Sequence, residues 1–102
     1  MSENLLNLVN TIRERKNKDK DKSYTSSLFS GGLSKCIDKM EEEFDELKEA
    51  LNDKSNEVHE AADTIYNLLV TLEAANIKFE DVLQELENRK NQSGIEEKNN
   101  RK

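Results

Sequence analysis

Proline is absent from this chain of 102 residues, and cysteine and histidine occur once each. Cys36 alone cannot form an intrachain disulfide or a cysteine-rich zinc site, so a reducing compartment is compatible with the chain. His59 has no activated serine or cysteine setting around it, which excludes the nucleophilic triads. Glycine is scarce too: Gly31 and Gly32 supply a flexible turn after Ser30, but neither the Rossmann nor the P-loop pattern is present. No apolar run approaches a membrane span and the N-terminus has no signal-peptide profile, so no membrane role and a cytoplasmic location are expected. Positive charge is short as well, 16 basic residues against 22 acidic ones for a net charge of −6, which argues against a nucleic-acid partner. No segment alternates polar and apolar residues with the period of a strand, and no internal repeat is evident. The fold class that remains is all-α.

What the chain does have is charge, 37% of residues against 33% hydrophobic, a balance that leans toward disorder unless the apolar residues are well placed. They are. Leu5, Leu8, Val9 and Ile12 recur at helical spacing and predict a first helix over residues 3–16, with Ser2 as its N-cap. Lys16 to Lys22 carries no apolar residue and reads as a solvated loop, the alternative being a phosphate-binding arm. Ser23 to Phe29 reads as a segment docked on the body through Tyr24, Leu28 and Phe29.

A second helix is predicted from Leu33 or Ser34 to Leu51, burying a narrow stripe of Ile37, Met40, Phe44, Leu47 and Leu51. The turn Asn52 to Asn56 follows, with Ser55 or Asn56 able to cap the next helix. That third helix, residues 56–75, is the most apolar. Val58, Ala61, Ile65, Leu68, Leu69 and Leu72 form a broad face, while Ala62, Tyr66 and Val70 spread toward Asp63 and Asn67, so it should sit centrally. Phe79, Val82, Leu83 and Leu86 define a fourth helix to Arg89 that completes the core. Residues 91–102 should form a flexible C-terminal tail. The expected architecture is one domain over residues 1–90, an antiparallel four-helix bundle. So small a core favours burial against a second copy, a homodimer.

Two acidic pairs stand out. Glu43 and Glu46, and Glu60 and Asp63, are each three residues apart, which places both members on neighbouring turns of one helical face. Thirteen residues separate Glu46 from Glu60, enough for the end of one helix, a turn and the start of an antiparallel partner. Two carboxylates can then face two others across a seam, where they repel each other unless a cation intervenes. Mg²⁺ suits oxygen ligands and leaves positions for water and phosphate. At about 100° per residue, Glu43 falls about 80° from the centre of the apolar stripe and Glu46 about 140°, so Glu43 should lie at the edge of the packed interface and Glu46 further out. A charged solvent face is the competing reading. Against it, the second pair lies on a mostly apolar helix and few lysines are spaced to neutralise the acids.

Glu42-Glu43-Phe44-Asp45-Glu46, followed by Glu60-Ala61-Ala62-Asp63, resembles the Glu-x-x-Glu and Glu-x-x-Asp signature of the MazG-like all-α nucleoside triphosphate pyrophosphohydrolases. The likeness is closer to the phosphoribosyl-ATP pyrophosphatase family. It covers residues 4–89, through Ile12-Arg13-Glu14-Arg15-Lys16, Ser23-Tyr24-Thr25-Ser26-Ser27-Leu28, Lys39, the run from Glu60 to Val70, and Asp81 to Leu86, in the family's order. Glu41 stands where the family usually has glycine, and Asn67 where histidine commonly follows the tyrosine. The resemblance implies Mg²⁺-dependent hydrolysis of phosphoribosyl-ATP to phosphoribosyl-AMP and pyrophosphate in histidine biosynthesis. It implies metal held by Glu43, Glu46, Glu60 and Asp63, with water attacking at the α/β phosphate junction. Glu42 is nominated as a water-orienting base. Lys39 is nominated as a phosphate contact, an i,i+4 salt bridge to Glu43 being the plainer explanation.

Two other functions compete: a house-cleaning pyrophosphatase for aberrant nucleotides, with the same metal site and a different pocket, and a non-enzymatic helical interaction module. His59 reads as a solvated helix residue, although one turn from Asp63 it can reach the site. Cys36, beside Ile37, reads as a small packed residue.

Overall fold

The computed structural model describes residues 3–16 and 23–90. They form five helices, α1 (Glu3–Arg15), α2 (Tyr24–Ser30), α3 (Gly32–Asp53), α4 (Glu57–Ala74) and α5 (Phe79–Lys90), with no strand among the described residues. The all-α expectation holds. The expected loop beyond Lys16 and the expected tail at 91–102 lie outside the described residues.

α2 is the element that periodicity did not reveal. Seven residues give too few turns for an apolar stripe, but the hydroxyls do the local work. Ser23 N-caps the helix, its Oγ accepting from the Ser26 N–H at 2.9 Å, and the Ser26 hydroxyl donates to the Arg15 carbonyl at 3.0 Å. The end of α1 is thereby clamped to the start of α2. Leu28 is buried and Phe29 packs against the core, as a docked segment should, whereas Tyr24 is exposed and Thr25 and Ser26 are buried in its place. Gly32, at φ 85°, opens α3 in a conformation that glycine adopts without Cβ strain.

α3 and α4 run antiparallel and make the largest helix pairing of the fold. Thr64 and Thr71, two turns apart on α4, each donate across the seam to a carbonyl of α3, Glu43 O and Cys36 O, both at 3.1 Å. Each hydroxyl is shared with its own helix, at 2.8 Å to Glu60 O and 2.7 Å to Asn67 O. α4 touches each of the other four helices, which makes it the central element. The core itself is Val9, Ile12, Leu28, Cys36, Leu69 and Val70, with Leu5, Leu8, Tyr66 and Phe79 packed against it. Cys36 is a packed free thiol whose pKa is pushed up by burial.

The faces of α3 and α4 differ from expectation. On α3 the buried residues are Cys36, Glu43 and Ala50, about one position round from the apolar stripe, while Ile37, Phe44 and Leu51 are exposed. On α4, Leu69 is buried but Val58 is 85% exposed and Ile65 and Leu68 are also open. Within the single chain, α4 instead turns Thr64, Asn67, Val70 and Thr71 inward. α5 has no fully buried residue and completes the core only through Phe79. An ion pair also reaches it from α1. Arg13 binds Glu80 through its two terminal guanidinium nitrogens, Nη1 and Nη2, at 2.9 and 2.5 Å, and Glu73 through Nε at 3.2 Å, tying α1 to α4 and α5. Lys16 closes the end of α4, donating to Glu73 O at 2.7 Å and Asn76 Oδ1 at 2.8 Å.

The α3–α4 turn uses two non-glycine residues in the left-handed region, Lys54 at φ 55° and Asn56 at φ 58°. Asn56 occupies the N-cap position of α4 but makes no side-chain cap bond. Its left-handed backbone departs from the extended geometry in which such a cap forms.

Candidate active site

The threonine seam sets the height at which the acids of the two helices meet. Oxygen atoms of Glu43, Glu46 and Glu60 come within 4.8 Å of one another. Glu43 is not at an interface edge but inside it, only 5% exposed, because the buried face of α3 passes through it; Glu46 is half-buried. Asp63 belongs to a second, overlapping trio with Glu60 and His59. His59 Nε2 lies 3.1 Å from Asp63 Oδ2, so this histidine is exposed yet engaged.

The cluster is short of positive charge. Lys39 Nζ approaches Glu43 Oε1 at 3.2 Å and Glu42 Oε1 at 3.4 Å, the salt bridge that its spacing allows. Burial opposes the Lys39 charge, but the hydrogen bond to Glu43 and the neighbouring acids outweigh it and leave its pKa above the ordinary lysine value. The Glu46 carboxyl is held above the usual range by the closeness and charge of Glu43. Two buried oxygens, Glu43 Oε2 and Glu60 Oε2, have no hydrogen-bond partner. Burying a carboxylate oxygen without a partner costs about 1–3 kcal/mol or more. Crowded, partly buried acids, two of whose buried oxygens are unpaired, fit a hard divalent cation. Glu43, Glu46 and Glu60 are the residues able to share it, with Asp63 adjoining through Glu60.

A cleft of about 430 Å³ opens beside the cluster, with Glu43 and Asp63 in its wall. Its other walls are Arg15, Tyr24, Thr25, Tyr66 and Asn67. Tyr66 shares a short hydrogen bond with Thr25 and receives one from Arg15 Nη1 at 3.4 Å. Asn67 donates to the Asp63 carbonyl at 2.8 Å. Burial, with Lys39 opposing it, raises the Tyr24 phenol above its usual pKa. Lys39 and Glu42 lie round the corner, lining a smaller cavity of about 220 Å³ with Leu28, Lys35 and Asp38. Arg15, Thr25, Tyr66 and Asn67 were not among the sequence candidates. The signal for Thr25 was present, since a short serine-capped segment that interrupts a charged stretch must be placed by something.

A carboxylate cluster that fits a hard cation, beside a cleft with a cationic and aromatic wall, suits a polyphosphate attached to a base. Comparison with known proteins is consistent with this geometry. The phosphoribosyl-ATP pyrophosphohydrolase family matches residues 5–90. Phosphoribosyl-ATP pyrophosphatase of Rhodobacter capsulatus is 42% identical over 96 residues, 92% of this chain and 93% of its own. The protein of that name from Roseobacter denitrificans is 44% identical over 96 residues, 92% of this chain and 91% of its own. The Rhizobium etli protein is 41% identical over 99 residues, 95% of this chain and 92% of its own. With the match running from α1 to the end of α5, the chain belongs to the phosphoribosyl-ATP pyrophosphohydrolase family.

Proposed function

We infer that this protein hydrolyses phosphoribosyl-ATP to phosphoribosyl-AMP and pyrophosphate, a step of histidine biosynthesis, and that it uses Mg²⁺. Water adds to phosphorus at the α/β junction and pyrophosphate leaves. The observation that carries the reading is the meeting of Glu43, Glu46 and Glu60 with two unpaired buried oxygens, beside a cleft that Glu43 lines and that is large enough for part of a nucleotide. The names of the relatives supply the substrate.

Glu43, Glu46 and Glu60 would hold Mg²⁺, with Asp63 completing the set from the α4 side. The chemistry Mg²⁺ supplies when bound is neutralisation of phosphate charge and acidification of water. Thr64 fixes the height of Glu43 against Glu60, so the acids meet without rearrangement of either helix. Lys39 supplies positive charge beside Glu43, within reach of the phosphates. Glu42 is tied to Lys39 on the neighbouring cavity, so service as a water-orienting base requires that tie to open. The base and ribose lie against Tyr24, Tyr66 and Asn67. A substrate built on ATP supports a cytoplasmic location.

The working unit is a homodimer. Ile37, Phe44 and Leu51 of α3 and Val58, Ile65 and Leu68 of α4 are exposed along the two helices of one seam, and α5 has no fully buried residue. A second copy of the same surface is the partner whose chemistry matches it.

The test is pyrophosphate release from phosphoribosyl-ATP against a panel of ordinary and damaged nucleotides, with Mg²⁺ and with chelator. Turnover confined to phosphoribosyl-ATP and lost with chelator supports the assignment. A broad nucleotide profile replaces it with a house-cleaning pyrophosphatase, and no turnover leaves a helical interaction module.

A further inference from the structure

Arg15 stands apart from its neighbours Arg13 and Lys16 and from Lys39. Arg13 is saturated by Glu73 and Glu80, Lys16 by the end of α4, and Lys39 by Glu42 and Glu43. Arg15 lines the cleft and is half-buried; among the described residues it makes no ion pair, and its guanidinium's one hydrogen bond runs to the Tyr66 hydroxyl, at 3.4 Å. Partial burial of a guanidinium with five donors and one weak acceptor contact leaves most of its hydrogen-bonding capacity unused.

Its position is nevertheless built. The Arg15 carbonyl is gripped by the Ser26 hydroxyl, and Ser26 is nearly fully buried. The Tyr66 hydroxyl that meets the guanidinium is itself held by Thr25, 1% exposed. Two hydroxyl-bearing residues of α2 therefore fix Arg15, one at its backbone and one through Tyr66. A cation held this way, facing a cleft whose opposite chemistry is carboxylate, has a vacant fork for an anion, and the fork matches a phosphate.

Resting on the function proposed above, we propose that Arg15 binds a phosphate group of the substrate, with Tyr66 as the residue that positions it. The substrate offers two kinds of phosphate, its polyphosphate chain and the 5′-phosphate of the added ribosyl group. Both present the same chemistry to the fork.

The experiment uses the full chain and its Arg15→Gln, Arg15→Lys and Tyr66→Phe variants, each first shown by circular dichroism and urea unfolding to be folded. Steady-state kinetics with phosphoribosyl-ATP and Mg²⁺ should show KM raised about tenfold to hundredfold in Arg15→Gln, with kcat changed far less. Arg15→Lys should recover part of the loss, and Tyr66→Phe should raise KM by a smaller factor than Arg15→Gln. Calorimetric titration in chelator, which needs no turnover, separates the sources. Weaker binding of phosphoribosyl-AMP with unchanged binding of AMP locates the contact on the ribosyl 5′-phosphate, and weaker binding of AMP or of pyrophosphate locates it on the polyphosphate chain. Folded Arg15→Gln protein with wild-type KM and wild-type affinity for both products overturns the proposal. A wild type that ignores phosphoribosyl-ATP but turns over another nucleotide overturns the substrate assignment alone, and the same KM comparison on that nucleotide then decides the role of Arg15.

Discussion

The Thr64 hydroxyl sits between two carbonyls that belong to residues of the acidic cluster, 3.1 Å from Glu43 O on α3 and 2.8 Å from Glu60 O on its own helix. One buried hydroxyl thus sets the register of both acids. Thr64→Val keeps the shape and removes the donor, so it should lower stability by about 1 kcal/mol. It should also weaken Mg²⁺ binding more than any exposed substitution on α4. Urea unfolding and calorimetric Mg²⁺ titration measure the two effects, and an unchanged Mg²⁺ affinity would detach the seam from the site.

Mg²⁺ should raise the melting temperature, because an ion that binds the folded chain alone stabilises it, by about 2.7 kcal/mol when free ion is at a hundredfold excess over Kd. Glu43→Gln and Asp63→Asn should abolish that shift together with turnover. Differential scanning calorimetry with and without chelator gives the answer.

Acid should loosen the contact between α1 and α5. The hydrogen bond from Arg13 holds the Glu80 carboxyl down at about 2, against an ordinary value of 4.5. A folded-state pKa below the unfolded value gives stabilisation that is present above 4.5 and is lost as pH falls toward 2. Urea midpoints measured across that window should fall less steeply for Glu80→Gln than for wild type. Parallel slopes would mean that the pair contributes nothing measurable.

Phe44→Glu or Ile65→Glu places a charge in the exposed apolar seam of α3 and α4. Sedimentation equilibrium should report twice the chain mass for wild type and a single chain for either variant. A monomeric wild type would remove the second copy from the proposal.

At Lys54, φ 55° imposes on a side-chain-bearing residue the left-handed conformation that closes α3. Lys54→Gly should relieve that strain and stabilise the fold by about 0.5–1 kcal/mol, read as a higher urea midpoint at constant slope.

The four longer helices were legible in the sequence. Spans expected at 3–16, 33–51, 56–75 and 79–89 became Glu3–Arg15, Gly32–Asp53, Glu57–Ala74 and Phe79–Lys90. Which face each would bury was not legible. The apolar period of α3 points to Ile37 and Phe44, but a hydrophobic pattern records burial without saying whether the cover comes from the same chain. What the chain buries there by itself is Cys36, Glu43 and Ala50, and Glu43 breaks the pattern because a site residue departs from what its surroundings would select. The acid trio was foreseeable from spacing once an antiparallel turn was assumed. The cleft wall was not, because Arg15 and Tyr66 are fifty-one positions apart and Thr25, which holds the Tyr66 hydroxyl, stands on a helix too short to announce itself.

Glu43 and Glu60 keep carboxylate oxygens inside the protein with nothing to receive them. A molecule so arranged is least at ease where its acids crowd together, and selection for heat tolerance alone would replace those acids before any residue of the hydrophobic centre. Glu43 and Glu60 are therefore the positions where a variant chosen for robustness, and released from the reaction, should first carry a neutral side chain.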